Sequence, residues 1–136
     1  MSEIRPVLLL EDDTFDVILL QRSLAAVDLP TTLHIVSDGE EALRALGLLQ
    51  PQDRLEPAPA IAVLDINVPK ISGFEVCRQI RDCALTRDLH VVFFSGSTSS
   101  NDEKLALAAG ADHYFDKNKG PQSLLNHLQS LLPPAA

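Results

Sequence analysis

Short apolar runs alternate with longer stretches of helical periodicity along this chain. Runs at 7–11, 33–36, 61–65, 91–95 and 113–116 are rich in Val, Ile, Leu and Phe, and predict strands buried on both faces. Between them, apolar residues recur at helical spacing. Residues 14–27 carry Val17, Leu20, Leu24 and Val27 on one stripe, and residues 38–49 carry Ala42, Leu43 and Leu46. Residues 73–82 carry Phe74, Val76, Cys77 and Ile80, residues 100–109 carry Leu105 and Ala108, and residues 121–132 carry Leu124, Leu125, Leu128 and Leu131. Asp13 or Thr14 is positioned to cap the first helix, and Ser99 with Asp102 offers a capping-box-like start for the fourth. Strand and helix in strict alternation predict an α/β fold, a doubly wound parallel sheet built from right-handed crossovers. A flavodoxin-like (βα)5 order 2-1-3-4-5 suits five strands and puts the ligand crevice between strands 1 and 3.

The polar residues that close the apolar runs are unusual. The first run ends in Glu11-Asp12-Asp13, the third in Asp65, the fourth in Ser95 and the fifth in Asp116-Lys117. In an open parallel sheet the carboxyl ends of the strands share one edge, so these groups are expected to meet there.

Length and composition narrow the class. A chain of 136 residues is expected to form one domain spanning 1–136, with no output domain. The stretch 50–60, with Pro51, Pro57 and Pro59, reads as an exposed loop, and 133–136 as a flexible tail. Apolar residues make up 46% and charged residues 22%, the balance of a soluble globular protein. A net charge of −8 disfavours direct binding to nucleic acid or an anionic membrane. No run reaches membrane-spanning length and no signal peptide is evident, so a cytoplasmic location is expected. Cys77 and Cys83 are six apart in one helix, point to different faces and read as reduced thiols. His34, His90, His113 and His127 are scattered along the chain without zinc spacing and read as structural or surface residues.

Adjacent carboxylates repel unless a cation compensates them. Mg²⁺ takes oxygen ligands, needs few carboxylates and retains several waters. Asp12 and Asp65 are candidates to bind it directly, Glu11 through a water, and Asn67 through its backbone carbonyl. The ion would screen Asp65 and stabilise charge on an incoming phosphoryl group. Ser95 can hydrogen-bond a phosphoryl oxygen, Lys117 can pair with another, and Gly96 leaves room beside Ser95. The implied step is nucleophilic attack by Asp65 to give an acyl phosphate.

With these residues in place, the chain resembles the response-regulator receiver family over essentially its full length. Glu11-Asp12 match the acid pair, Asp65 the phosphoacceptor, Ser95 the hydroxyl residue and Lys117 the lysine. Asp65-Ile-Asn-Val-Pro69-Lys-Ile-Ser-Gly73 matches the loop D-x-x-x-P-x-x-x-G. The resemblance implies Mg²⁺-dependent phosphotransfer from a phosphohistidine on a sensor histidine kinase or a phosphotransfer protein. It also implies a switch in which Ser95 moves towards the phosphoacceptor, Tyr114 follows, and the helix 4–strand 5–helix 5 face changes its binding surface. Glu11-Asp12-x-x-x-Asp16 and the long Pro-containing loop are similar to the small regulators paired with bacterial phytochromes. That suggests a bacteriophytochrome kinase, and a homodimer through helix 4–strand 5–helix 5. The family usually has a proline after the lysine, in a cis peptide bond. Here Asn118 stands there, which predicts a trans bond and questions the aim of Lys117.

Two other functions remain open on sequence. A phosphatase resembling the haloacid-dehalogenase class would need a general-acid carboxylate two residues after the nucleophile, where this chain has Asn67. A receiver-like adaptor working without phosphorylation draws its support from Asn118 alone.

Overall fold

The structure, a computed structural model, describes residues 5–27, 29, 31–96 and 99–132. The tail at 133–136 lies outside the described residues. The elements run β1 (Val7–Leu10), α1 (Thr14–Ala25), β2 (Leu33–Val36), α2 (Gly39–Ala45), β3 (Ile61–Leu64), α3 (Gly73–Asp82), β4 (His90–Ser95), α4 (Ser100–Ala108), β5 (His113–Asp116) and α5 (Gln122–Leu131). All neighbouring strands pair in parallel, in the order β2-β1-β3-β4-β5. The expected doubly wound sheet is therefore the observed one.

Alternate residues of each strand enter two cores on opposite faces, as a strand period of two requires. Leu8, Leu10, Leu64 and Phe93 pack with Ala42, Leu43, Val76, Cys77, Ile80 and Ala106, on the side of α2, α3 and α4. Leu9, Val63, Val92 and Phe94 pack with Leu20 of α1 and Leu124, Leu125 and Leu128 of α5. β1 and β3 are buried along their whole length. Burial raises the Cys77 thiol to about 11, consistent with an inert packed thiol. Cys77 and Cys83 are not bridged.

Several boundaries and stripes differ from expectation for local reasons. α2 stops at Ala45 rather than 49, because Gly47 takes φ +76° and Leu48 N–H donates to the Leu43 carbonyl at 2.9 Å. That is the left-handed glycine cap that ends many helices. In α4 the inward residues are Ala106 and Ala109, while Leu105 and Leu107 are exposed. The expected Leu105–Ala108 stripe is off by one position, since the larger side chains here face outwards and small ones face the core. In α5 Leu132 replaces Leu131 as the last inward residue. Ser99 caps α4, its hydroxyl accepting from the Asn101 N–H at 3.2 Å and its carbonyl from the Asp102 N–H at 3.1 Å.

The 50–60 loop is not simply exposed. It holds a 3₁₀ turn at Pro51–Asp53 and a cis Glu56–Pro57 bond, and Pro59 is buried. Arg5 ties it back by donating to the carbonyls of Ala58 (2.9 Å) and Pro59 (2.8 Å). A further departure is that three of the scattered histidines converge. His90, His113 and His127 come together at the amino-terminal ends of β4 and β5 and on α5.

The β3–α3 loop fixes the candidate phosphoacceptor edge. Gly73 opens α3, its N–H donates to the Ile66 carbonyl at 3.1 Å, and a Cβ there would lie 2.0 Å from the Asp65 carbonyl oxygen. The glycine is thus required by close backbone approach rather than by its own dihedrals. Gly73→Ala is expected to lower stability by about 1–3 kcal/mol, the usual cost of overpacking. Urea unfolding reads this directly, and an unchanged midpoint would mean that the junction yields without cost.

Candidate functional site

Four strand ends place the candidate residues, and the backbone holds them there. The Glu11 N–H donates to the Val36 carbonyl at 3.0 Å and the Asp65 N–H to the Leu10 carbonyl at 3.1 Å. Each carboxylate residue therefore extends a ladder by one bond past its strand. Glu11, Asp65 and Ser95 are buried at 4%, 8% and 1% exposure, while Asp12 is exposed. Together with Asp13, Asp16, Asn67, Gly96 and Lys117 they line one open cleft of about 490 Å³. Of the residues singled out at the strand ends, Glu11, Asp12, Asp13, Asp65, Ser95 and Lys117 share this cleft, while Asp116 does not line it and caps the turn that follows β5.

Lys117 is the hub. Its ammonium donates to Asp65 Oδ2 at 2.9 Å and Asp16 Oδ2 at 3.0 Å, and is also paired with Glu11 Oε1. Burial alone would lower the Lys117 pKa, but the hydrogen bonds to Glu11, Asp65 and Asp16 outweigh it and hold the ammonium above its ordinary value. For Glu11 the balance goes the other way. Burial, reinforced by the charge of Asp65, pushes its carboxyl up to about 7 against the pull of Lys117. The remaining oxygens are oriented by backbone: Ile66 N–H donates to Asp65 Oδ1 at 2.7 Å, and Asp13 N–H to Glu11 Oε2 at 3.1 Å. Asp13 in turn caps α1 by accepting from Asp16 N–H at 3.1 Å. That cap carries Asp16 to Lys117, so Asp16 joins the site as well as serving as a first-turn helix acid.

Carboxylate oxygens of Glu11, Asp12 and Asp65 lie within 4.8 Å of one another. With Lys117 alone among them as a cation, the cluster keeps a negative excess. A set of hard oxygen donors in an open cleft fits Mg²⁺, which keeps part of its water shell. Asn67 is exposed on the cleft wall.

Asn118 does not divert Lys117. The peptide bond is trans, and residues 117–119 form a 3₁₀ turn capped by Asp116, whose carboxylate accepts from Asn118 N–H at 2.8 Å. The Asn118 amide also donates to the Gly96 carbonyl at 3.2 Å, which ties the β5 turn to the end of β4. Local hydrogen bonds from Asp and Asn take over the role of a fixed proline geometry.

Tyr114 lies beside Ser95. It is half-buried against the α2–α3–α4 core, close enough to Ser95 for the two hydroxyls to interact. Burial raises its pKa, while the Ser95 hydroxyl pulls the other way.

Comparison with known proteins adds to this geometry. Residues 7–129 match the response regulator receiver domain family. The response regulator MprA of Mycobacterium ulcerans is 34% identical over 101 residues, which cover 74% of this chain and 39% of that protein. The chain thus spans well under half of that relative. Among solved structures, the bacteriophytochrome response regulator AtBRR aligns with a TM-score of 0.82 and 27% identity, over 99% of this chain and 98% of that one. The Mn²⁺-bound form of response regulator Rcp1 aligns at 0.77 and 26%, over 96% and 99%.

The ion-pair geometry makes one stability prediction. Lys117→Met leaves Glu11 and Asp65 facing each other without compensation. Breaking a fully buried pair costs about 3–5 kcal/mol; the open cleft here reduces the expected loss to about 2 kcal/mol. Urea unfolding at neutral pH without divalent cations measures it. Adding Glu11→Gln to Lys117→Met should recover part of the loss, and no recovery would mean that carboxylate repulsion is not its cause.

Proposed function

This chain belongs to the response regulator receiver family, and from that premise we propose that Asp65 accepts a phosphoryl group from a phosphohistidine. The observation that carries this reading is Lys117, held within hydrogen-bond reach of Asp65 and against Glu11 at one sheet edge. An Asp65 carboxylate oxygen attacks phosphorus, the phosphorus–nitrogen bond breaks, and the imidazole of the donor leaves with the electron pair. Lys117 then pairs with one phosphoryl oxygen, and the Ser95 hydroxyl donates to another. Glu11, Asp12, Asp65 and the Asn67 backbone carbonyl would hold Mg²⁺. When bound, that ion screens the carboxylates and stabilises charge on the phosphoryl oxygens. Asn67 is not an acid, so the cleft lacks the general acid of a small-molecule phosphatase at that position. The domain then acts as a signalling module that assists its own phosphorylation and dephosphorylation.

Ser95 and Tyr114 carry the signal outwards. A hydroxyl has one donor and two acceptor positions, so Ser95 can donate to the phosphoryl group while accepting from Tyr114. Phosphorylation would thereby favour the inward Tyr114 arrangement and shift an existing equilibrium. The face of α4, β5 and α5 exposes Leu105, Leu107 and Leu131, and is the surface we assign to a downstream protein or a second copy of the chain. The likeness to AtBRR and the Glu11-Asp12-x-x-x-Asp16 run support a sensor kinase of the bacteriophytochrome type as donor. No described helix is long and apolar enough to cross a membrane, in keeping with a cytoplasmic partner.

Intact mass after incubation with Mg²⁺ and acetyl phosphate tests the assignment. The native chain should gain one phosphoryl group, Asp65→Asn none, and chelation of divalent cations should abolish uptake. Full phosphorylation of Asp65→Asn would overturn the assignment of the phosphoacceptor. Asp12→Asn should weaken Mg²⁺ binding, and an unchanged Mg²⁺ titration would remove Asp12 from the ligand set.

A further inference from the structure

His90 opens β4, His113 opens β5 and His127 lies on α5, at the end of the sheet remote from Asp65. One ring nitrogen from each lies within 4.8 Å of the other two. His90 Nε2 and His127 Nε2 are 2.9 Å apart, and the His113 and His127 rings meet edge-on with centroids at 4.2 Å. We infer that these three imidazoles form a binding site for one divalent metal ion of the zinc class, separate from the acidic cleft and independent of the proposed phosphoacceptor.

The ligand type favours zinc over the hard cations. Imidazole suits Zn²⁺, Cu²⁺ and Ni²⁺, whereas Mg²⁺ takes oxygen. Two nitrogens bound to tetrahedral Zn²⁺ at ~2.0–2.1 Å stand about 3.3 Å apart. The His90–His127 pair needs only a few tenths of an ångström to reach that spacing. His113 is exposed and its ring can turn in from the solvent side, which also provides an entry path.

The surroundings prepare the ligands. Asp112 Oδ2 lies 3.5 Å from His90 Nδ1, and the same carboxylate accepts from Val91 N–H at 2.9 Å and is paired with Arg81 at 3.0 Å. A carboxylate facing Nδ1 favours the Nδ1–H tautomer and leaves the Nε2 lone pair directed at the site. Phe115 walls the other side, with its ring centroid 5.4 Å from that of His127 and 6.1 Å from that of His113. Burial holds both His90 and His127 below the ordinary imidazole pKa, in the neutral form that ligates. Three protein ligands leave a fourth position for water or a side chain of a partner. Bound metal would tie α5 to β4 and β5.

The test is calorimetric titration of the untagged full chain with Zn²⁺ in excess Mg²⁺, which occupies oxygen sites. One Zn²⁺ per chain is expected. Asp112→Asn should weaken it by about 10–100-fold, the usual cost of losing an outer-shell partner, and His113→Asn and His127→Asn by more. His34→Asn, at the histidine outside the cluster, should leave the isotherm unchanged. Co²⁺ gives an independent readout: a tetrahedral visible spectrum in the native chain, lost in His127→Asn. Circular dichroism of His113→Asn, a change at an exposed position, separates ligand loss from misfolding. No Zn²⁺ binding under excess Mg²⁺, or native affinity in both His113→Asn and His127→Asn, would overturn the site.

Discussion

One ammonium group holds the carboxylate edge together. Lys117 is shared among Glu11, Asp16 and Asp65, while Asp12 stays in solvent. Three carboxylates share one ammonium with a fourth close by, and Glu11 and Asp65 are held near each other because their N–H groups are tied to neighbouring strands. Burial, with the charge of Asp65 added to it, raises the proton affinity of Glu11. The apolar runs just upstream, buried without exception in β1 and β3, anchor the carboxylates in place. A site that is electrostatically unfavourable on its own is thereby kept ready for a second cation by packing several residues away. A phosphoryl group entering this cleft as we propose would need further positive charge beside it.

The main outline was legible from periodicity because buried parallel strands leave a strong signal. β2 and β5 match their apolar runs end for end, and α3 begins and ends where its stripe does. The meeting of Glu11, Asp65, Ser95 and Lys117 in one cleft was legible because each closes or follows a strand run, and the sheet topology converts that position into proximity. What sequence did not reveal depended on finer geometry. α4 turns small Ala106 and Ala109 inwards and larger Leu105 outwards, against the weight that pattern reading gives to size. Asp16 reaches Lys117 because Asp13 caps α1 and fixes its first turn, a relation carried by one hydrogen bond rather than by spacing. The histidines were read as scattered, since nothing local reveals that β4 starts at His90, that β5 pairs Val92 with His113, and that a turn of α5 brings His127 over both.

The two ends of the sheet have been given different chemistry. All five strands point the same way, so residues that follow strands gather at one edge and residues that open them gather at the other. The first edge carries carboxylates, a hydroxyl and an amine, which suit hard cations and phosphoryl oxygen. The second carries imidazoles, Asp112 and Arg81. Ligand hardness separates the two without any barrier between them, because Mg²⁺ has little affinity for imidazole nitrogen. β5 and α5 contribute to both ends, with Lys117 at the turn between them and His127 farther along the helix.

The contact between Ser95 and Tyr114 bears on how a change at Asp65 could be felt outside. Ser95 is almost fully buried, so its hydroxyl must find partners within the protein, and the Tyr114 hydroxyl lies near enough to influence it. A phosphoryl oxygen arriving at Asp65 competes for the one proton that Ser95 can donate, while its oxygen stays available to Tyr114. In the switch we propose, Tyr114 would then act towards Ser95 as a donor, with its ring packed against the α2–α3–α4 core from the β5 side. Asn118 adds a second tie between β4 and the β5 turn through the Gly96 carbonyl. The ends of β4 and β5 are then linked at two points, one dependent on the phosphoacceptor and one independent of it. Outward movement of Tyr114 would have to break the first link while the second keeps the strand ends in register. The switch we propose would on that geometry be confined to the Tyr114 side chain and the α4 surface beside it, with the Asn118 bond holding the Lys117 turn to the end of β4.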